Sequence, residues 1–184
     1  MKRLLFSIAL AALVSPAVSG PAKSVKQPTV TQQFDPVKSF QQLVAAASAT
    51  KTWSRSFQLP TTQKWVRQNA VAGDVRYDVK KTDSLVNPLI GIVSFPVVIS
   101  VSPVADTEQE ALESTAPPQR NSTYDVDITY QIVSDRWVMH EIKYKGTDRE
   151  NPLRGTVFTM DAEKFAKDKN STLALALKPW VADL

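Results

Sequence analysis

The sequence predicts an α+β fold in which an N-terminal amphipathic helix packs on a curved antiparallel β-sheet. Three observations predict it. Apolar residues recur at helical spacing in "FDPVKSFQQLVAAASATK", Phe34 to Lys51. From Trp53 onward the period switches to two. Two of the alternating runs, Thr123 to Val133 and Trp137 to Lys145, match face to face when folded on each other.

The chain of 184 residues opens with Met1-Lys2-Arg3, an apolar run from Leu4 to Val14 and "SPAVSG". Ala17 and Ser19 stand at −3 and −1 of a cut before Gly20, the layout of a secretory signal peptide over residues 1–19. The apolar run is too short to cross a hydrocarbon core of about 30 Å as a helix. No later segment is long and apolar enough for a membrane span. The expected location is therefore secreted or periplasmic. Residues 20–33, polar and carrying Pro21 and Pro28, read as a flexible linker. Residues 34–184 read as a single α+β domain.

In the helix, Asp35 is placed to cap the first amides. Pro36 stands at the first helical position, where its missing N–H is harmless. Val37, Phe40, Val44 and Ala47 form one stripe, which Leu43 widens. "WSRSFQL" then alternates Trp53, Phe57 and Leu59 with polar residues. "KWVRQNAVAGDVRYDVKK" reads as a long strand bulged at Ala72-Gly73. In its second half Val75, Tyr77 and Val79 share a face, with Asp74, Arg76, Asp78 and Lys80 on the other. Thr82 to Pro88 connects it to a strand from Leu89 to Val101, in which Pro96 calls for an edge or a bulge. Pro103 to Ser122 interrupts the strands. Thr107 and Glu110 have capping-box spacing for a short helix, and the segment otherwise reads as a solvated acidic loop.

The run "TYDVDITYQIVSDRWVMHEIKYK" specifies a hairpin. With Val133 opposite Trp137 across a loop of Ser134, Asp135 and Arg136, Ile132 faces Val138 and Tyr130 faces His140. Ile128 then faces Ile142, and Val126 faces Tyr144. On the other face Asp127 meets Lys143 and Asp125 meets Lys145, as favourable cross-strand charge pairs. A slip of one residue would send every apolar side chain to the wrong face. Beyond it, "RGTVFTM" reads as a last strand and Asp161 as a helix cap. "TLALALKPW" fits strand and helix equally.

The composition excludes more chemistry than it suggests. There is no cysteine, so disulfides and thiol redox chemistry are out, and a mature chain of this length can bury a core without them. Of 22 basic and 18 acidic residues, Lys2 and Arg3 leave with the signal peptide, and the mature chain keeps a net charge of +2. No basic run interleaved with aromatics remains, so no nucleic-acid partner is expected. One histidine and no cysteine leave no zinc ligand set, and no metal or cofactor is expected. Asp125 and Asp127 share a strand face, but lysine partners suit them better than calcium. Phosphate-binding glycine loops and the Gly-x-Ser-x-Gly elbow are absent. Ser48-x-x-Lys51 lacks the accompanying motifs of penicillin-binding enzymes. Two Asn-x-Ser/Thr sequons, at Asn121 and Asn170, count only in a eukaryotic secretory host. A Ser-His-Asp triad would need His140, the sole histidine, which the hairpin register aims at the apolar face.

One helix followed by a long antiparallel meander resembles the cystatin-like and NTF2-like architecture over Phe34 to Lys145. "YDVKKTDSLVNPLIGIVSF" is similar to segments of secreted bacterial proteins of unknown function. The resemblance implies a pocket between helix and sheet, and in the enzymes of the NTF2-like group an acidic or histidine base inside it. Here that base would be His140, and no partner Asp matches. Tyr77, Tyr130, His140 and Tyr144 are the candidate ligand-binding residues, since aromatics with polar tips suit such a pocket. The leading expectation is a non-enzymatic binding module for an unknown protein or small molecule, with a homodimer as one open assembly. A small pocket enzyme using His140 as base and a structural component of the cell envelope are the alternatives. Whether the sheet's inner face is filled or hollow discriminates among them.

Overall fold

The computed structural model describes residues 34–148, 154–161, 164–165 and 172–181. The expected signal peptide, residues 1–19, and linker, residues 20–33, lie outside them. The fold is α+β, a seven-stranded antiparallel sheet with few helices.

Helix α1 spans Pro36–Ala47. Asp35 caps it by accepting from the Lys38 amide at 3.1 Å, with Pro36 in the first turn. Phe40, Val44 and Ala47 are buried; Val37, the first residue of the expected stripe, is half exposed.

The strands are β1 (Thr52–Gln58), β2 (Trp65–Ala72), β3 (Arg76–Lys81), β4 (Leu89–Val101), β5 (Arg120–Val133), β6 (Arg136–Gly146) and β7 (Val157–Asp161). Their order is β1-β2-β4-β5-β6-β7, with β3 beside β4. β5 runs along one side of β4. The other side is shared, β3 beside the first half of β4 and β2 beside the second. β2 and β3 thus form one ribbon. Between the pairs Ala72↔Val97 and Arg76↔Ser94, β4 advances three residues and the ribbon four, so one extra residue bulges out. Pro96 sits opposite this bulge, where a missing N–H breaks no ladder. The Gly73 amide closes the site by donating to the Pro96 carbonyl at 2.8 Å.

The β5–β6 hairpin keeps part of the expected register and corrects the rest. Val126↔Tyr144, Asp127↔Lys143 and Ile128↔Ile142 pair as the sequence predicts. The ladder then shifts between Thr129 and Tyr130: Thr129 faces Glu141, Tyr130 faces Met139 and Ile132 faces Trp137. His140 is the extra residue and is exposed. The loop has two residues, not three. Ser134 and Asp135 both take positive φ, 49° and 57°, and Val133 faces Arg136. Two-residue loops with positive φ match the right-handed twist of the flanking strands. The strict alternation assumed from the sequence could not represent a bulge inside the strand.

One face of the sheet carries the core. Val93, Phe95 and Val97 of β4, Val126, Ile128 and Tyr130 of β5, and Ile142 of β6 are buried there. Helix α3 (Thr172–Leu177) continues into a 3-10 turn, Lys178–Val181. "TLALALKPW" is therefore helical, and Leu173, Ala176, Leu177, Trp180 and Val181 join the core. Asp161 accepts from the Lys164 amide at 2.8 Å, and most of the helix expected after it lies outside the described residues.

Helix α2 (Glu108–Glu113) has the Thr107–Glu110 capping box. The acidic side chains Asp106, Glu108, Glu110 and Glu113 are exposed, as the composition suggests, but the backbone around them is anchored to the sheet. Arg67 donates to the carbonyls of Leu112 and Ser114 at 2.6 and 2.7 Å, Lys64 pairs with Asp106, and Ala111 is fully buried. Asp106 meets Lys64 of the β1–β2 loop and Glu108 accepts from Ser56 of β1, both far away in sequence, while Arg67 of β2 holds the backbone.

Candidate functional site

The four residues singled out from the sequence do not form one site. Tyr130 is in the core: its hydroxyl donates to the Trp180 carbonyl at 2.7 Å, and burial pushes its phenol far above the ordinary value. Tyr77 is about half exposed at the side of Phe40, ring centroids 6.3 Å apart. Phe40 in turn meets Tyr130 edge-on at 5.5 Å. Tyr144 belongs to a separate cluster, stacked on Phe158 at 5.2 Å and edge-on to Tyr124 at 6.2 Å. His140 stands in the bulge, exposed, and does not face Tyr130.

The helix side of the sheet is filled at its centre. The Phe40 ring lies directly over Gly91, the one position of β4 without a side chain to obstruct it. Phe95 stacks on Trp180 at 4.8 Å, and the Trp137 indole donates to the Pro36 carbonyl at 2.9 Å. Between α1, β6 and the 3-10 turn a slot of about 300 Å³ remains. Leu43, Ala46, Trp137, Met139, Pro179 and Trp180 line it together with Tyr130, and the lining holds no charged residue. Trp180 is almost fully buried, and its indole N–H meets no acceptor. An apolar wall with a few polar tips can bind an apolar group but offers no acid or base. Trp180 and Pro179 were missed because they follow a segment whose period fits two structures. Ala46 was missed because an exposed helical alanine gives no signal.

The opposite face carries an open trough of about 760 Å³ across β3 to β7, with Arg76, Lys143 and Lys145 among Asp74, Asp125 and Asp127. Several of these charges are already committed. Asp127 accepts from the Ser94 hydroxyl at 2.5 Å, Lys143 pairs with Glu141 at 2.7 Å, and Lys51 lies 3.8 Å from Asp74. The cross-strand neighbours Asp127 and Lys143 thus turn to other partners. Among the described residues no group of three metal-ligating side chains occurs, and no helix is long and apolar enough to cross a membrane.

Comparison with known proteins supplies no relative: no family model, no curated protein and no solved structure matches the chain.

Proposed function

We propose that this is an exported, non-enzymatic binding module of cystatin-like or NTF2-like architecture, and that the slot beside Trp137 and Trp180 takes an apolar side chain or small apolar molecule. One observation carries the reading: the lining is aromatic and aliphatic, and the chain's one histidine stands outside it. Turnover by proton transfer requires a titratable group within hydrogen-bond reach of the substrate. The slot has only Tyr130, whose hydroxyl is engaged with Trp180. Binding requires only apolar area and a shape, and a cavity of about 150 Å³ already holds a benzene-sized ligand in another protein. Export rests on the charged, apolar and small-residue sequence of positions 1–19.

The experiment is a titration with the apolar dye anilinonaphthalene sulfonate, read by dye emission and tryptophan quenching. Saturable single-site binding is expected. Ala46→Trp, which places an indole at the slot from an exposed helix position, should weaken it at least ~10-fold without lowering the melting temperature. Dye binding that ignores Ala46→Trp sinks the slot as the site.

A further inference from the structure

Strand β3 is paired on one side only. β4 takes that side, and no strand among the described residues takes the other. All of β3 but Val79 is exposed. The ladder shows which backbone groups face outward. The Thr82 amide donates to the Pro88 carbonyl at 2.9 Å, so these two residues form a hydrogen-bonded pair. Such pairs recur at every second residue of an antiparallel ladder, and the β3–β4 register runs without a shift. Lys80, Asp78 and Arg76 therefore bond β4. Tyr77, Val79 and Lys81 each turn one N–H and one C=O to the open edge, a template for another strand. Their side chains lie on the helix side of the sheet, and those of Arg76, Asp78 and Lys80 on the other.

A free edge can pair with its own copy about a two-fold axis normal to the sheet. Residues opposite each other must then share a face, which excludes every register that is off by one. Two of the remaining registers overlap nearly all of β3, one with the axis at Asp78 and one with it at Val79. The first sets Asp78 against Asp78 and Arg76 against Lys80, like against like. The second sets Val79 against Val79, Tyr77 against Lys81 and, twice over, Asp78 against Lys80. Arg76 then comes opposite Thr82 and Asp83 opposite Val75, so no like charges meet directly. In this register every outward N–H of Tyr77, Val79 and Lys81 also finds an outward C=O. Asp78 and Lys80 are free for it: both are exposed, and neither has an ion-pair partner among the described residues, unlike Asp74, Asp106 and Lys143. The other free edges do not match themselves. Full overlap of β1 sets Arg55 against Arg55, and full overlap of β7 sets Val157 against Asp161. From the open backbone edge and its self-complementary charges we infer that two copies of this chain join their sheets through β3, with Val79 on the two-fold axis. Lysines on an edge strand commonly keep it from pairing. Here Lys80 meets Asp78 of the second copy, and Lys81 meets its Tyr77 ring. The interface does not use the slot and stands whatever the slot binds. A contact this short makes a weak dimer, with a dissociation constant on the order of 10–100 µM.

The test is sedimentation velocity on the full chain from about 1 to about 500 µM, beside Asp78→Lys, Lys80→Asp and the double exchange Asp78→Lys/Lys80→Asp. Concentration-dependent dimerisation is expected for the wild type. Each single exchange places like charges opposite each other twice and should raise the dissociation constant at least ~10-fold. The double exchange should return it to within about 3-fold of the wild type. Both positions are exposed, so the melting temperature should not move. The cysteine-free chain permits a second measurement. Across a hydrogen-bonded pair the Cα atoms are about 5.5 Å apart, within reach of a disulfide. Val79→Cys should therefore link to its own copy rapidly under mild oxidation. Asp78→Cys stands on a diagonal, about 8 Å from its copy, and should link slowly. A chain that stays monomeric throughout would overturn the inference. So would dimers that the single exchanges leave unchanged or that the double exchange fails to restore. Faster linkage through Asp78→Cys than through Val79→Cys would overturn it as well, because the axis would then lie elsewhere.

Discussion

The Phe40 ring occupies the space where residue 91 would carry a side chain. A Cβ built on Gly91 would fall well inside the contact radius of three of the ring's carbons. Phe40 is fully buried, and it also touches Tyr130 and Trp137, so it has little room to yield. Gly91→Ala should therefore destabilise by about 1–3 kcal/mol, although alanine is otherwise the better residue in a strand. Phe40→Leu should cost stability alone and recover part of the loss when combined with Gly91→Ala. Chemical denaturation of the four proteins measures the coupling, and strict additivity would show that the ring can move aside.

The Tyr130 hydroxyl ties the sheet to the C-terminal turn through Trp180, and burial raises its pKa. The unfolded chain releases this proton near pH 10, while the folded chain holds it to higher pH. Above about pH 10 the folded state binds more protons than the unfolded state. Stability from this group is thus fully present below pH 10 and lost as pH rises beyond it. Tyr130→Phe should cost about 1 kcal/mol at neutral pH through the lost hydrogen bond and remove this share of the alkaline loss. Melting curves from about pH 8 to about pH 11 check both. Parallel curves for the two proteins would contradict the linkage.

The hairpin bulge makes a prediction that the uniform register would forbid. Because Met139 faces Tyr130 and Glu141 faces Thr129, deleting His140 joins two stretches already in register. The deletion should retain a cooperative melt and the slot's affinity for dye. Deleting Ile142 instead should put the charged residues of β6 toward the core and abolish the transition. Loss of folding in the His140 deletion would mean that the local twist supplied by the bulge is itself required.

How much was legible follows from the range of each signal. The Asp35 cap, the Thr107 capping box and the Asp127↔Lys143 register are local or pairwise patterns, and sequence spacing carries them. The break opposite Pro96 was legible because proline and glycine punctuate strands. His140 was misplaced because a bulge adds one residue without altering composition. The slot was illegible because it joins Ala46, Trp137 and Trp180, which no periodicity relates. The docking of α2 depends on Arg67, more than forty residues away from the carbonyls it binds.

The tight turn supplies the last prediction. Ser134 and Asp135 both hold φ near +50°, where a non-glycine residue is strained by contact of its Cβ with the backbone. Two-residue hairpin loops with positive φ at both positions favour Asn-Gly for that reason. Asp135→Gly should therefore stabilise by about 0.5–1 kcal/mol, and adding Ser134→Asn should give a further small gain. In a three-residue loop closed by Val133 and Trp137 the same change would only add freedom to the unfolded chain and lower stability. The sign of the shift in denaturation midpoint thus separates the two loops. Both positions are exposed and lie outside the lining of the slot, so the variants should bind dye as the wild type does.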